Sequence, residues 1–505
     1  MIGQTKTKVI IIGAGPTGLT LACQLLRHNI DFVILDKNEK TTHLSKAMAV
    51  QARTLEIFDE IDLADKAVKL GQVAVQFSMV ARGKIRGQIK LGLFGQGLSP
   101  YPFALILEQN KTEKLLVDWL YEKGGSIHWG TEVLRFEENN DAVVVYYKDR
   151  NEEEHTIEGE YLVGCDGAGS LVRHQLGFKF GGDTQERMFY VADVKLESPI
   201  TDRKDAYFVM INKGFLLFFP LLEEKHYRII GTVPDGVIDK EKAQFSDIKQ
   251  IIKKQLEIPV QFLEEYWFST YKVHSRMADS FGKGRCFIAG DAAHIHTPAG
   301  GQGMNTGIQD AYNLAWKLAF VINKKADKKL LETYNEERKE NAKNLLRSTD
   351  RMFDILAGTS IAANFIRLYI MPFVLNRITK YSFISSKIFP LLSQIGVKYP
   401  NSSLTLESSV AKICAGDRMP YLQINGESIF DKLKNPTYKI LYFGNKNNDC
   451  LQEIKHAKIE LVKLSFEVIP TIFINQSDCY IVVRPDNYIS YMGKDLEKIK
   501  QSIDV

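Results

Sequence analysis

Residues 7–12, TKVIII, form a β-branched apolar run that stops at Gly13, the pattern of a strand buried on both faces. The stretch TGLTLACQLLRHN after it places Leu19, Leu21, Ala22, Leu25 and Leu26 at helical spacing, and DFVILDK (31–37) is a second buried strand. Strand, helix and strand in that order predict a parallel sheet. Between AVVVYY and EYLVGCDG, the charged run KDRNEEEH (148–155) reads as a solvated hairpin tip. From about 181 to 280 the texture changes to aromatic, alternating segments: MFYVADVKLE, DAYFVMI, GFLLFFPLL, HYRIIGTV and EYWFSTYKV. Strands that follow one another without helices predict a separate antiparallel sheet. Helical spacing returns after residue 303 and runs through LLETYNEERKENAKNLLRSTDRMF, and VKYPNSSL (397–404) reads as a linker. Beyond it YKILYFG, IELVKLS, TIFIN and CYIVVRP alternate with helical stretches, as in a small α/β domain.

A chain of 505 residues is long enough for about three such domains. Its 45% hydrophobic and 25% charged residues are those of a soluble globular protein. The 65 basic and 61 acidic residues are mixed along the chain, so no concentrated basic face is expected and nucleic acid is excluded as a partner. Cys23, Cys165, Cys286, Cys414, Cys450 and Cys479 are scattered, with no CxxC and no metal-ligand spacing, which points to free thiols in a reducing cytoplasm. The opening MIGQTKTKVIIIGAG passes straight into a strand and lacks the pattern of a signal peptide. The most apolar later segment, IAANFIRLYIMPFVLNRI (361–378), is interrupted by Arg367, Pro372 and Arg377 and is too short to span a membrane. It is expected to be a packed helix or a lid over a pocket, with a membrane-surface contact as the other reading.

The first candidate chemistry is GAGPTG, which sets Gly13, Ala14, Gly15, Pro16, Thr17 and Gly18 between strand and helix. Glycine there permits the tight turn and lets a diphosphate approach the helix N-terminus, whose free N–H groups and dipole favour an anion. Asp36 closes the second strand, with Lys37 after it, where a carboxylate can accept the ribose hydroxyls of an adenosine. This motif alone leaves FAD and NAD both open. Asp291, His294 and His296 have the D-x-x-H-x-H spacing of a two-histidine, one-carboxylate iron site. The surrounding Gly/Pro turn and the helix abutting it fit a seat for a flat ring better than a metal.

Taken together, GAGPTG, DGAGSLVR (166–173) and GDAAHIHTPAGGQGMN (290–305) resemble the flavoprotein monooxygenases of the aromatic-hydroxylase type, typified by 4-hydroxybenzoate hydroxylase. QARTLEIFDEIDL and YPFALILEQNKTEKLL look similar to the same family, and YPNSSL with VVRPDNYISYMG resembles the thioredoxin-like tail of its phenol and polyketide members. The resemblance implies a Rossmann-like FAD-binding domain over 1–180 and 281–350 and an inserted substrate sheet over 181–280. A helical segment would occupy 351–400 and a thioredoxin-like α/β domain 401–505. Gly13, Gly15 and Gly18 would hold the FAD diphosphate and Asp36 the ribose. Arg53 and Gln109 would contact the diphosphate and ribityl region, with Lys46 competing for the cationic role. Asp166 would lie near the diphosphate, in a motif that in the family also affects the nicotinamide cofactor, and Asp291 would hold the ribityl chain. Gly301, Gly303, Met304 and Asn305 would form the isoalloxazine seat, with Pro298 fixing the chain at the face of oxygen transfer. The helix N-terminus near Gly303 would stabilise the negative charge of reduced flavin.

The implied reaction has NADPH or NADH reduce FAD, O₂ add at flavin C4a, and the hydroperoxide deliver one oxygen atom to a phenolic or polycyclic aromatic. No second GxGxxG exists, so the nicotinamide cofactor is expected as a transient visitor. Phe189, Tyr190, Phe208, Phe215, Phe218 and Phe219 are candidates to line the substrate pocket and equally to fill the sheet core. His226, Tyr227 and His274 are base candidates among which the sequence does not choose. The tail lacks CxxC, which leaves packing or homodimerisation as its role. The alternatives are an antibiotic-inactivating monooxygenase of the tetracycline or rifamycin type, a flavin oxidoreductase that transfers no oxygen, and a flavin-bearing binding protein.

Overall fold

The β-branched run near the N-terminus becomes the strand Lys6–Ile12, buried from Val9 onward in the middle of a parallel sheet. A computed structural model of the chain describes residues 5–42, 47–199, 205–211, 214–234, 236–237, 239–297, 301–358, 360, 364–371, 373–374, 382–410, 413–424, 426–443, 459–464 and 479–504. In the first sheet the order is Gly282–Lys283, Cys286–Ile288, Glu154–Gly164, Lys6–Ile12, Phe32–Asp36, His128–Trp129. From Cys286–Ile288 to His128–Trp129 every neighbouring pair is parallel, with Ile10 opposite both Val33 and Leu162. The antiparallel hairpin of Val143–Lys148 with Glu154–Gly164 carries the charged run at its exposed tip. The helix Pro16–Arg27 packs between Gln109–Glu122 and Gly303–Ile322. The last of these is buried continuously from Asn305 to Val321, so it is an internal helix wrapped on every side.

The second sheet runs His294–Ile295, Gln261–Ala278, Phe180–Glu197, His226–Thr232, Gly214–Pro220, Asp205–Ile211, Gln76–Ala81, Lys84–Lys90. It departs from the expected 181–280 antiparallel unit in two ways. The hairpin Gln76–Lys90 joins it from far upstream, and Gln76–Ala81 pairs in parallel with Asp205–Ile211, which makes the sheet mixed. A helix, Phe245–Leu256, interrupts the run of strands, and its Phe245, Ile248, Ile252 and Leu256 cover one face. Period-two alternation divides the aromatics between the faces. Tyr190 and Phe218 pack under that helix, while Phe189 and Phe215 lie on the other face with Phe208 and Met371.

The C-terminal sheet has the order Ile459–Leu464, Tyr438–Phe443, Cys479–Val483, Ile489–Gly493, the first pair parallel and the others antiparallel. The expected strand TIFIN lies outside the described residues, as does Cys450. The expected linker VKYPNSSL is partly buried: the Tyr399 hydroxyl accepts Arg338 Nη1 at 2.8 Å, and Ser402 Oγ donates to Glu337 at 2.6 Å. Among the described residues no helix is long and apolar enough to cross a membrane.

Candidate functional site

The parallel strands end together. Ile12, Asp36, Gly164 and Ile288 close four neighbouring strands at one edge of the sheet, and the segments that follow three of them are GAGPTG, CDGAGS and AGDAAH. Backbone hydrogen bonds knit the edge: Gly13 N to Leu35 O at 2.8 Å, Cys165 N to Ile12 O at 2.7 Å and Ala289 N to Gly164 O at 3.0 Å. A crevice at the carboxyl ends of parallel strands is where open α/β sheets bind ligands.

The three glycines of the first turn do different things. At Gly13, φ is +101° and a Cβ would stand 2.4 Å from the Cys165 carbonyl oxygen. At Gly18 it would stand 2.0 Å from the Gly13 oxygen, so both positions are closed by the protein's own backbone. At Gly15, the N-cap of Pro16–Arg27, a Cβ would meet no atom within 4 Å. The open side is therefore at the helix N-terminus, where an anion gains from the dipole. Thr17 has a packing role, because its Oγ1 would lie 2.5 Å from a Cβ on Gly290 and 2.4 Å from one on Gly307. Asp36 accepts Ala14 N at 2.6 Å on Oδ2 and Asn38 N at 2.8 Å on Oδ1, which fixes its carboxylate beside the turn. Lys37 is exposed next to it.

In the second loop Asp166 Oδ2 accepts Val172 N at 3.2 Å, while Oδ1 is buried with no protein partner. An orphaned buried carboxylate oxygen is costly unless something else meets it. Arg173 ties this loop to the third, with Nη1 on Ala292 O at 2.9 Å and Nη2 on Ala168 O at 2.7 Å. Beside it a cavity of about 380 Å³ is lined by Arg173, His174, His274 and Arg276 over Phe180 and Ile295.

The third loop turns at Gly290, where φ is +63°, and exposes Asp291 on a short 3-10 turn. It is held by Asp310, a fully buried carboxylate inside the Gly303–Ile322 helix. Asp310 accepts Gly290 N at 3.0 Å, His294 Nε2 at 2.7 Å and Arg338 Nε at 2.7 Å. Burial alone would raise its pKa, but the charges and hydrogen bonds of His294 and Arg338 outweigh it and hold the carboxyl below its usual range. His294 is thus a structural partner of Asp310. Burial pushes His296 down to about 4, so its ring is neutral, with Nδ1 on the Thr297 carbonyl at 2.8 Å. Asp310 and Arg338 escape a motif reading, although a lone Asp in an all-round apolar helix is a signal of a buried partner.

Two of the expected cofactor contacts have side chains engaged within the protein. The Arg53 guanidinium, 1% exposed, is directed to Glu56 at 3.1 Å and to the Asp486 carbonyl at 2.9 Å, between the rings of Tyr312 and Tyr488. It braces the C-terminal unit and does not face the strand edge with its charge free. The Asn305 side chain is saturated too: Oδ1 accepts Gln51 N and Thr54 Oγ1 at 2.8 Å each, and Nδ2 donates to Ala49 O at 2.7 Å and Gly301 O at 2.9 Å. It shapes the turn at Gly301, where φ is +62°, and leaves Gly303 and Met304 at the head of the helix. Gln109 opens its own helix, with Oε1 on Ala47 N at 3.3 Å and Nε2 on Glu113 at 2.9 Å. Lys46 and Pro298 lie outside the described residues. Of the base candidates, Tyr227 is buried in the sheet core, His226 lies tilted against the Tyr266 ring with centroids 4.6 Å apart, and His274 meets Thr184 Oγ1 at 3.0 Å in the cavity wall.

The chain matches the family model described as FAD binding domain over residues 6–349. A flavin-dependent monooxygenase of Mycobacteroides abscessus is 32% identical over 510 residues, covering 96% of each chain. The 6-methylpretetramide 4-monooxygenase of Streptomyces rimosus is 37% identical over 343 residues, which are 68% of this chain and 61% of that relative's length. Among solved structures, the OxyS anhydrotetracycline hydroxylase from Streptomyces rimosus aligns with a TM-score of 0.78 at 27% identity, over 97% of this chain and 96% of that one. An open helix N-terminus at Gly15, a fixed Asp36 and an orphaned Asp166 oxygen suit the diphosphate and ribose of FAD, and the chain belongs to the family of FAD-dependent aromatic hydroxylases.

Proposed function

We propose that this protein is a monooxygenase that consumes NAD(P)H and O₂ and places one oxygen atom on a phenolic or polycyclic aromatic substrate, the second leaving as water. The observation that carries this reading is the meeting of three Gly-rich turns at one sheet edge, with the aromatic sheet joined to the third of them through the strand His294–Ile295. Tetracycline-type relatives support a fused-ring substrate. Bound FAD would supply electron transfer and oxygen activation. The chain's part is positioning: Gly15 and the N-terminus of Pro16–Arg27 hold the diphosphate, Asp36 the ribose, and Asp291 and Gln109 the ribityl chain. Asp166 is near the diphosphate, with Lys37 and Lys46 as candidate cations. The backbone at Gly301, Gly303 and Met304 seats the ring. The face carrying Phe189, Phe208 and Phe215 keeps water away from the reacting edge. The cavity with Arg173, His174, His274 and Arg276 has the charge to receive the phosphates of a visiting nicotinamide dinucleotide. The C-terminal unit, with its mixed four-stranded sheet, is read as thioredoxin-like without redox function, since the sequence has no CxxC.

The test is purification of the yellow protein, with NADPH and NADH oxidation and O₂ uptake followed against phenols and fused-ring aromatics. Substrate-stimulated oxidation with a product heavier by one oxygen is expected. Oxidation that never yields such a product overturns the oxygenation, and a colourless protein that FAD does not reconstitute overturns the cofactor.

A further inference from the structure

Charges are mixed along the chain as a whole, yet two stretches contain no Asp or Glu at all, residues 66–107 and 355–406. The fold brings them together: the Arg82 guanidinium lies 4.1 Å from the centre of the Tyr369 ring. Arg82 sits at the turn of the hairpin formed by Gln76–Ala81 and Lys84–Lys90, with Lys84, Ile85 and Arg86 exposed beside it. Tyr369 belongs to the π-helical turn Ile366–Ile370.

That helix is anchored on one side and bare on the other. Leu368 and Met371 pack on Met79, Ala81 and Met210 of the second sheet. Arg367 is fully buried and caps the Gly358 carbonyl at 2.9 Å, so the segment is fixed to the body of the protein. The opposite side presents Phe365 at 56%, Tyr369 at 46%, Ile370 at 42% and Phe373 at 63% exposure, a density of large apolar side chains that scattered surface residues do not reach. The helix Phe245–Leu256 covers the opposite face of the sheet, and Glu257 after it, whose carbonyl abuts Gly83, brings a carboxylate to the margin of the hairpin tip.

We propose that the face formed by the Ile366–Ile370 helix and the tip of the Gln76–Lys90 hairpin docks on an anionic lipid surface. Aromatic and aliphatic side chains flanked by cations, on two stretches that carry no Asp or Glu, are what an interfacial helix needs to enter the headgroup boundary and hold acidic lipids. A second copy is the poorer occupant, because a two-fold contact sets Arg82, Lys84 and Arg86 against themselves.

The test is flotation of the full chain with vesicles of phosphatidylcholine alone and of phosphatidylcholine with phosphatidylglycerol, alongside gel filtration. Selective flotation with the phosphatidylglycerol vesicles is expected, weakened by salt. Replacing Lys84→Gln with Arg86→Gln lowers the partition coefficient about 25-fold, at about fivefold per basic residue. Phe365→Ser with Phe373→Ser abolishes flotation, while an unchanged melting curve shows that the variant is folded. Equal flotation with both vesicles, none with either, or variants that float like the parent overturns the proposal. So does a dimer in gel filtration that Phe365→Ser with Phe373→Ser dissolves, which would assign the face to a second copy. Flotation needs no turnover, so its failure is read separately from failure of the proposed oxygenation.

Discussion

Replacing Gly15 and Gly18 by alanine, one at a time, separates the part of the first turn that the protein fills from the part left for a ligand. Gly15 has φ −75° and ψ −179°, a conformation alanine adopts freely, and a Cβ there meets no atom within 4 Å. Without ligand, Gly15→Ala is expected to match the parent or gain about 0.4–1 kcal/mol by restricting the unfolded chain. With FAD the methyl stands between the diphosphate and the helix N-terminus. Loss of one charge-assisted N–H bond, about 1.5–3 kcal/mol, weakens binding roughly 10- to 150-fold. At Gly18 the same methyl would lie 2.0 Å from the Gly13 oxygen, and that oxygen belongs to a turn already closed against Cys165. Backbone must move, so Gly18→Ala is expected to cost about 3 kcal/mol with or without FAD. Chemical denaturation of the apo-protein gives the first quantity and flavin-fluorescence titration the second. If Gly15→Ala binds FAD as tightly as the parent, the diphosphate does not rest on this turn. If Gly18→Ala is as stable as the parent, the packing argument fails.

Further outcomes follow from the buried charges. Asp310→Asn strips Arg338 of its counter-charge and is expected to cost about 3–5 kcal/mol in urea denaturation. Because His294 and Arg338 hold the Asp310 carboxyl below its ordinary 3.8, its contribution to stability is present above that value and is lost as pH falls through the lowered one, a dependence the Asn variant lacks. Burial pushes Lys439 from 10.5 down to about 7, so its cost to stability is present below about 7 and is relieved as pH rises toward 10.5. Urea midpoints that climb over that window in the parent and less in Lys439→Met are expected, and equal slopes would refute it. Arg276→Ala is expected to raise the KM for NAD(P)H roughly tenfold with FAD content unchanged, by loss of one ionic hydrogen bond. An unchanged KM removes the cavity from the path of the dinucleotide. Deletion of residues 399–505 is expected to give an insoluble chain, checked by expression and FAD titration of whatever remains soluble.

What could be read from the sequence was what short-range chemistry dictates. GAGPTG was legible because the clash at Gly18 involves Gly13, five residues away, and the strand before it is β-branched from Val9 to Ile12. The hairpin Gln76–Lys90 was not legible as part of the second sheet, because its partner strand starts at Asp205 and nothing local announces a parallel pairing. The protein partner of Arg53 was not legible for the same reason: its motif is local, but its acceptor, the Asp486 carbonyl, lies 433 residues on. VKYPNSSL looked like a linker because it is polar. Tyr399 and Ser402 within it are buried instead, paired with Arg338 and Glu337. The three turns of the candidate site were each readable. Their common support at Asp310 was not, because it joins Gly290, His294 and Arg338 only after the Gly303–Ile322 helix has been placed.

That support explains why the C-terminal unit cannot be an appended module. Glu56 meets Arg418 at 3.2 Å, Glu60 accepts Asn487 Nδ2 at 2.6 Å, and Glu337 accepts Arg484 Nη1 at 2.5 Å, all buried or nearly so. Glu337 also accepts Lys317 Nζ at 2.7 Å, and although burial raises a carboxyl, Arg484 and Lys317 hold this one well below the usual range. Each carboxylate stripped of its partner would stand in a dry interior at a cost of about 3–5 kcal/mol. Two or three such losses equal the whole stability of a typical domain, about 5–15 kcal/mol. Arg53 belongs to the same set, and its helix runs directly after the strand that Asn305 pins to the Gly301 turn. A disturbance at the tail therefore reaches the proposed flavin seat through two short contacts. Among the described residues, the tail supplies buried ionic partners to Glu56 and Glu337.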